Sequence, residues 1–407
     1  MRVLYLHQYF TTPDMAGGTR SYEMARRVVE AGHSVHMITS DRHHLGAGRR
    51  QWRREQISGI DVHWLPVPYS NTLGYRARIR AFVDFARRAA ARAVEVGGDL
   101  VFATSTPLTI AIPGMYASRR LRVPMVFEVR DLWPEVPIAM GVLRNRAAIA
   151  AARWLERSAY RHAAHVVTLS PGMKDAVVRQ GTPGERVSVI PNGCDTELFD
   201  VPASVGEAFR REHGWLGDRP LVTYTGTLGT VNGVAYFARL AAETQRLNAE
   251  VRFLVVGSGK EDALVRATAA ELGVLDRSFF MLPSLPKREL PACLSATDVA
   301  TSFVIDVPAL WTNSANKFFD AFAARRPMLI NHEGWLADVL RRTGSGIVVP
   351  PADARAAAVE LCAFLGDPAR IARARAAAGE LAAGEFNRDR LAGELLDVFR
   401  RAAGANS

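Results

Sequence analysis

Two doubly wound α/β domains are what this sequence predicts, on three observations. Strand-like and helix-like stretches alternate from end to end, and 407 residues exceed what one hydrophobic core usually supports. The alternation breaks once, at Ile190-Pro191-Asn192-Gly193-Cys194-Asp195, where Pro191 and Gly193 mark a turn suited to a boundary. The first series of strands reads Val3 to Leu6, Ser34 to Thr39, Ile60 to Leu65, Leu100 to Thr104, Met125 to Val129 and His165 to Leu169, with helical stretches such as Ser21 to Glu30 between most of them. The second reads Leu221 to Tyr224, Val251 to Val256, Phe279 to Leu282, Val299 to Val304 and Met328 to Ile330, again with helices between. Such alternation predicts parallel sheets covered on both faces, with ligands beyond the carboxyl ends of the strands and a cleft between the domains as the place to look. The expected domains are 1–197 and 198–386. The Ala/Arg-rich tail from Pro351 reads as several helices, the last of which, about 387–407, is a candidate to pack back on the first domain.

Composition bounds the function. A 48% hydrophobic and 23% charged chain is typical of soluble globular proteins. Cys194, Cys293 and Cys362 are too few and too scattered for a disulfide framework or a zinc site, which favours a reducing cytosol. Met1-Arg2 leads straight into a strand without the pattern of a signal peptide, and no apolar run approaches the roughly 20 residues of a membrane span. Positions 1–200 hold 27 Lys and Arg against 18 Asp and Glu, and the remainder 24 against 23, so the first half carries nearly all of the net +10. That asymmetry points to an anionic partner. Around Ile79, Phe82, Val83 and Ala86 stand Arg76, Arg78, Arg80, Arg87, Arg88 and Arg92, a pattern that fits a helix lying on anionic lipid and equally a surface helix packed on the core. No nucleic-acid-binding motif accompanies these arginines.

The candidate chemistry sits at strand-to-helix junctions. Val299 to Val304 reads as a buried strand, and after a loop through Asn313 and Ser314, Asn316 opens a helix with Phe318, Phe319 and Phe322 at helical spacing. Free N–H groups and the positive end of the dipole suit a diphosphate there, with Lys317 reinforcing them and Asp320 placed one turn on for a ribose diol. A capped amphipathic helix with both charges solvated has the same pattern. Gly17-Gly18, between the first strand and the first helix, lets backbone amides approach a phosphate, and Gly257-Ser258-Gly259 repeats the arrangement in the second domain without completing a dinucleotide fingerprint. Glu128, Arg130, Asp131 and Glu135 crowd the end of a strand, where they serve either an acceptor or an internal salt bridge from Arg130 to Asp131 or Glu128. The ten histidines, among them His43-His44 in a polar basic loop, show no metal-ligand spacing, and no Gly-x-Ser-x-Gly elbow occurs.

Taken together, these pieces resemble the retaining glycosyltransferases of the GT-B fold, family 4, over nearly the whole chain. The resemblance is carried by Gly17-Gly18 before Arg20, Gly32-His33-Ser34-Val35, Thr104-Ser105-Thr106-Pro107, Glu128 through Pro134, Ile190 through Asp195, Tyr224-Thr225-Gly226-Thr227-Leu228-Gly229, and Asn316-Lys317 before Asp320. The Arg130-Asp131-Leu132-Trp133-Pro134 and Asn192-Gly193 elements look most like the fucosamine transferases of O-antigen and capsule assembly. The resemblance implies a nucleotide-sugar donor, UDP-linked, no metal and no cofactor. It implies transfer of an N-acetylated deoxysugar with retention to a lipid-diphosphate-linked saccharide, at the inner face of the cytoplasmic membrane, with domain closure excluding water. It places Gly17, Gly18, Gly226, Thr227, Asn232, Gly257, Ser284, Leu285, Asn313, Ser314, Asn316, Lys317 and Asp320 around the donor, and Arg130 and Asp131 at the acceptor or reacting centre. Three departures stand out. Thr312 replaces the first of two acids, Thr227 and Asn232 replace the Arg and Lys that neutralise the diphosphate, and Arg130 or its neighbourhood replaces the usual histidine. A nucleotide-sugar epimerase, which needs no acceptor, and a silent scaffold subunit are the readings from other classes.

Overall fold

The computed structural model describes residues 1–41, 51–67 and 75–404, and the side chains of the helix Tyr75–Val96 from Arg80 onward. His43, His44, Arg76, Arg78 and Ile79 lie outside the described side chains. The chain divides into two compact units: Met1–Thr12, Thr19–Pro191 and Asp389–Ser407 in the first, and Pro13–Gly18 with Asn192–Arg388 in the second.

The first unit is built on β1 (Arg2–Leu6), β2 (Ser34–Asp41), β3 (Arg53–Ile57), β4 (Ile60–Pro66), β5 (Leu100–Thr104), β6 (Met125–Val129), β7 (His165–Thr168) and β8 (Val187–Val189). Their order is β3-β4-β2-β1-β5-β6-β7-β8, parallel except for the β3–β4 hairpin. Continuous apolar runs such as Val3-Leu4-Tyr5-Leu6 belong in a sheet buried on both faces, and these four residues are buried. Because β1 lies between β2 and β5, the chain leaves it in opposite directions. The carboxyl ends of β1 and β5 therefore flank the point where a doubly wound sheet opens a crevice. The helix Tyr75–Val96 packs Ala81, Phe85, Ala89 and Ala93 into the core beneath this sheet. Val83, expected on its apolar face, is 56% exposed instead, while Arg88 pairs with Asp84 at 3.8 Å and Arg92 with Glu95 at 2.7 Å. The final helix, Arg388–Gly404, places Phe399 edge-on against Phe102 at 5.0 Å.

The second unit holds β9 (Leu221–Thr225), β10 (Arg252–Val256), β11 (Phe279–Leu282), β12 (Val299–Ser302), β13 (Met328–Ile330) and β14 (Gly346–Val348), all parallel, in the order β11-β10-β9-β12-β13-β14. Here β9 and β12 flank the switch point. Phe237 fills one face, with ring centroids 5.2 Å from Phe253, 5.6 Å from Phe279 and 5.4 Å from Phe303. A second cluster, Phe318, Phe319, Phe322 and Phe386 with Trp335 against it, anchors the helix Asn316–Ala323. Each such burial stabilises by about 1.5–3 kcal/mol, which fixes that helix firmly at the end of β12.

Candidate active site

The helix Asn316–Ala323 follows β12 with its N-terminus uncapped by any side chain. Its first amides remain available to an anion. The aromatic face points inward and turns Lys317 towards the end of β9. Lys317 Nζ donates to Tyr224 Oη at 2.7 Å and lies 3.9 Å from the centre of that ring. A Cβ built on Gly226 would stand 3.4 Å from the same Nζ, so the ammonium reaches the loop after β9. Thr227 and Asn232 occupy this loop without charge: the Thr227 carbonyl accepts from Tyr224 Oη at 2.8 Å and from Asn232 Nδ2 at 2.9 Å, closing the turn. Burial pulls the Lys317 ammonium down to about 7, and Asp320 offsets it only in part. In the same unit, Gly18 comes so near that a Cβ there would lie 2.4 Å from Asn316 Nδ2. Asn316 Oδ1, Asn313 Oδ1 and Trp311 Nε1 are buried here with no hydrogen-bond partner among the described residues.

One turn on, Asp320 is buried and its Oδ1 accepts from Lys287 Nζ at 2.7 Å. Lys287 is itself 3.7 Å from Asp195, which takes Arg388 Nε at 2.9 Å. This chain of buried charges ties the boundary turn and the start of the last helix to the helix that carries Lys317. Burial pushes the Asp320 carboxyl up, with Lys287 opposing. At Lys287 burial is outweighed by Asp320 and Asp195, so its ammonium stays charged. The second oxygen, Asp320 Oδ2, makes no hydrogen bond among the described residues. Lys287 was invisible in the sequence, because Pro286-Lys287-Arg288 reads as an ordinary charged loop.

The remaining donor-side candidates divide by what they touch. Ser284 Oγ meets Ser258 Oγ at 2.7 Å on the surface, with Leu285 half-buried beside it. Gly17 is exposed at φ 135°, a conformation that favours glycine. Ser314 faces the boundary turn: its carbonyl accepts from Asn192 Nδ2 at 2.5 Å and its Oγ from the Asn192 amide at 3.3 Å. Gly257 is held by packing, since a Cβ there would fall 1.9 Å from the Gly226 carbonyl oxygen. Gly257→Ala is therefore expected to force the ends of β9 and β10 apart at a cost on the order of 1–3 kcal/mol. A thermal melt checks this, and an unchanged midpoint would contradict it.

In the first unit, the carboxyl ends of β1, β5 and β6 bring His7, Ser105, Thr106, Arg130 and Asp131 together. The Arg130 amide donates to Ser105 Oγ at 2.9 Å, and its guanidinium reaches His7 Nε2 at 3.3 Å and Ser21 Oγ at 3.4 Å. Asp131 accepts from Thr106 Oγ1 at 3.0 Å. Among the described residues Arg130 forms a salt bridge with neither Asp131 nor Glu128, the internal pairings that the sequence allows. Glu128 pairs instead with Arg20, whose Nε and Nη2 donate to Glu128 Oε1 at 3.0 and 2.8 Å and which also binds the Ile190 and Pro191 carbonyls. Glu128 thus serves the scaffold and leaves the Arg130 head, half-buried, beside His7.

Comparison with known proteins bears on the two units as domains. Residues 16–193 match the family model for a "Glycosyl transferase 4-like domain" and residues 219–367 that for "Glycosyl transferases group 1". The chain belongs to the group 1, family 4-like glycosyltransferases. The curated alpha-D-kanosaminyltransferase of Streptomyces kanamyceticus is 25% identical over 286 residues, 70% of this chain and 72% of that protein. Among solved structures, sucrose-phosphate synthase from Thermosynechococcus elongatus superposes with a TM-score of 0.79 at 18% identity, covering 99% of both chains. Anabaena Alr3699/HepE in complex with UDP-glucose gives 0.72 at 17% identity, covering 98% of this chain and 99% of its own. The fold of this glycosyltransferase is accordingly GT-B.

Proposed function

We propose that this glycosyltransferase takes its sugar, an N-acetylated deoxysugar, from a UDP-linked donor. The acceptor is a lipid-diphosphate-linked saccharide of cell-surface polysaccharide assembly, at the inner membrane face, and configuration is retained. The observation that carries the reading is Lys317 Nζ beside Gly226, where one ammonium takes the place of the two cations that Thr227 and Asn232 lack. In this reading Lys317, the Asn316 and Lys317 amides and Gly18 hold the diphosphate. The free Asp320 oxygen takes the ribose, and the Ser284 and Leu285 backbone takes the base. Charge that develops on the leaving diphosphate meets Lys317, which the bound diphosphate keeps protonated, and a helix dipole, which removes the need for a metal. Arg130 and Asp131 face the acceptor. The donor bound by the Anabaena neighbour and the basic surplus of the first half support a UDP donor and an anionic acceptor or membrane.

The purified protein should release UDP from one of a panel of UDP-sugars only when a lipid-linked acceptor is added. Isomerisation without acceptor would indicate an epimerase, and failure to bind UDP or turn over any donor would reject the enzymatic reading.

A further inference from the structure

The helix Arg146–His162 has an outer face that the donor and acceptor chemistry does not use. At 3.6 residues per turn, Arg146, Arg153, Trp154, Arg157 and Arg161 fall within about 100° of arc. All five are exposed, Trp154 at 68%, and together they line one open groove of about 460 Å³. None of the four arginines forms a salt bridge among the described residues, in contrast to Arg88 and Arg92 on the helix Tyr75–Val96. The helix's own carboxylate, Glu156, is buried at the flank of this face, within electrostatic reach of Arg157 and Arg153, and accepts from Tyr160 Oη at 3.0 Å. The inner side is fixed by Ala159 and Tyr160 in the core and by His162 Nε2, 3.1 Å from Ser118 Oγ of the neighbouring helix Ala111–Leu121.

A helix face that offers four guanidinium groups without salt bridges among the described residues, flanked by an exposed indole, matches one kind of surface closely. Anionic phosphates meet the arginines, and the indole, apolar with one polar edge, belongs at a water–lipid boundary. A second copy of this chain is a poor occupant, because the two arginine faces would repel. We propose that the outer face of Arg146–His162, with Trp154 at one edge of its arginine stripe, is where this enzyme docks on an anionic phospholipid surface. The assignment rests on the lipid-linked acceptor reading above and gives it a location, distinct from the helix Tyr75–Val96 that the sequence suggested.

The test is sedimentation of the full chain with vesicles of phosphatidylcholine alone or mixed with phosphatidylglycerol, alongside UDP binding by calorimetry. Wild-type protein should pellet with the anionic vesicles only. Arg153→Ala/Arg157→Ala/Arg161→Ala should bind them on the order of 100-fold more weakly, since each cation contributes separately at a charged surface. Trp154→Ser should weaken binding less, and Trp154→Phe should abolish the quenching of that indole by brominated lipid. Equal sedimentation of the triple variant and wild type would overturn the assignment, as would tighter binding to duplex DNA than to the vesicles. UDP affinity retained without vesicle binding would fail this proposal alone, and vesicle binding without UDP affinity would fail the donor reading alone.

Discussion

Lys317→Ala is expected to lower kcat/KM for the nucleotide-sugar donor by on the order of 10²–10³, the usual consequence of removing one preorganised group from developing charge. Lys317 is the cation that the structure brings to the loop after β9, and the aromatic anchors of its helix leave it no other outlet than Tyr224 and Gly226. Tyr224→Phe should have a much smaller effect, because the phenol orients the ammonium and also closes the Thr227 turn, which Asn232 continues to hold. Steady-state kinetics with the true donor checks both. A Lys317→Ala enzyme with wild-type kcat/KM would remove the residue from the site.

Glu128→Ala should destabilise the first unit by about 3–5 kcal/mol, because it leaves the fully buried Arg20 guanidinium without its counter-charge. Replacing both partners by apolar residues, Arg20→Met with Glu128→Leu, should recover most of that loss. The pair also sets an acid limb. Burial pushes the Glu128 carboxyl up, but Arg20, Arg130 and the Thr104 hydroxyl together hold it below the usual glutamate value. A carboxyl with a depressed folded pKa stabilises fully above its unfolded value and loses that contribution as pH falls through the folded one. Wild-type stability should therefore drop on acidification, and the drop should be shallower in Glu128→Ala. Urea unfolding at several pH values reads both effects, and parallel pH curves for the two proteins would contradict the account.

The strands with continuous β-branched or aromatic runs were legible from sequence because burial on both faces leaves a strong signal, as in Leu100–Thr104 and Met125–Val129. Three strands were not. Arg53–Ile57 is an exposed edge strand of Arg, Glu and Gln whose pairing comes from the β3–β4 hairpin, while Val187–Val189 and Gly346–Val348 are three residues long. In the site, Lys317 and Asp320 stood out because helical spacing places them beside a phenylalanine stripe. Lys287, Arg388 and the Arg20–Glu128 pair did not, since their partners lie 33, 193 and 108 residues away. Gly257 and Ser314 read as ligand contacts, yet each is bound to the scaffold by a neighbour that only the folded chain supplies.

Proton linkage tests whether Lys317 meets the donor's diphosphate, without knowledge of the sugar. With its pKa lowered to about 7 by burial, Lys317 is mostly neutral in the empty enzyme near pH 8, and a bound diphosphate would return the proton by favouring the charged form. Calorimetric titration with UDP near pH 8, in buffers of different ionisation enthalpy, should show uptake approaching one proton per UDP. Lys317→Met should abolish that uptake and weaken binding. UDP binding without proton uptake, at an affinity that Lys317→Met leaves unchanged, would remove Lys317 from the diphosphate.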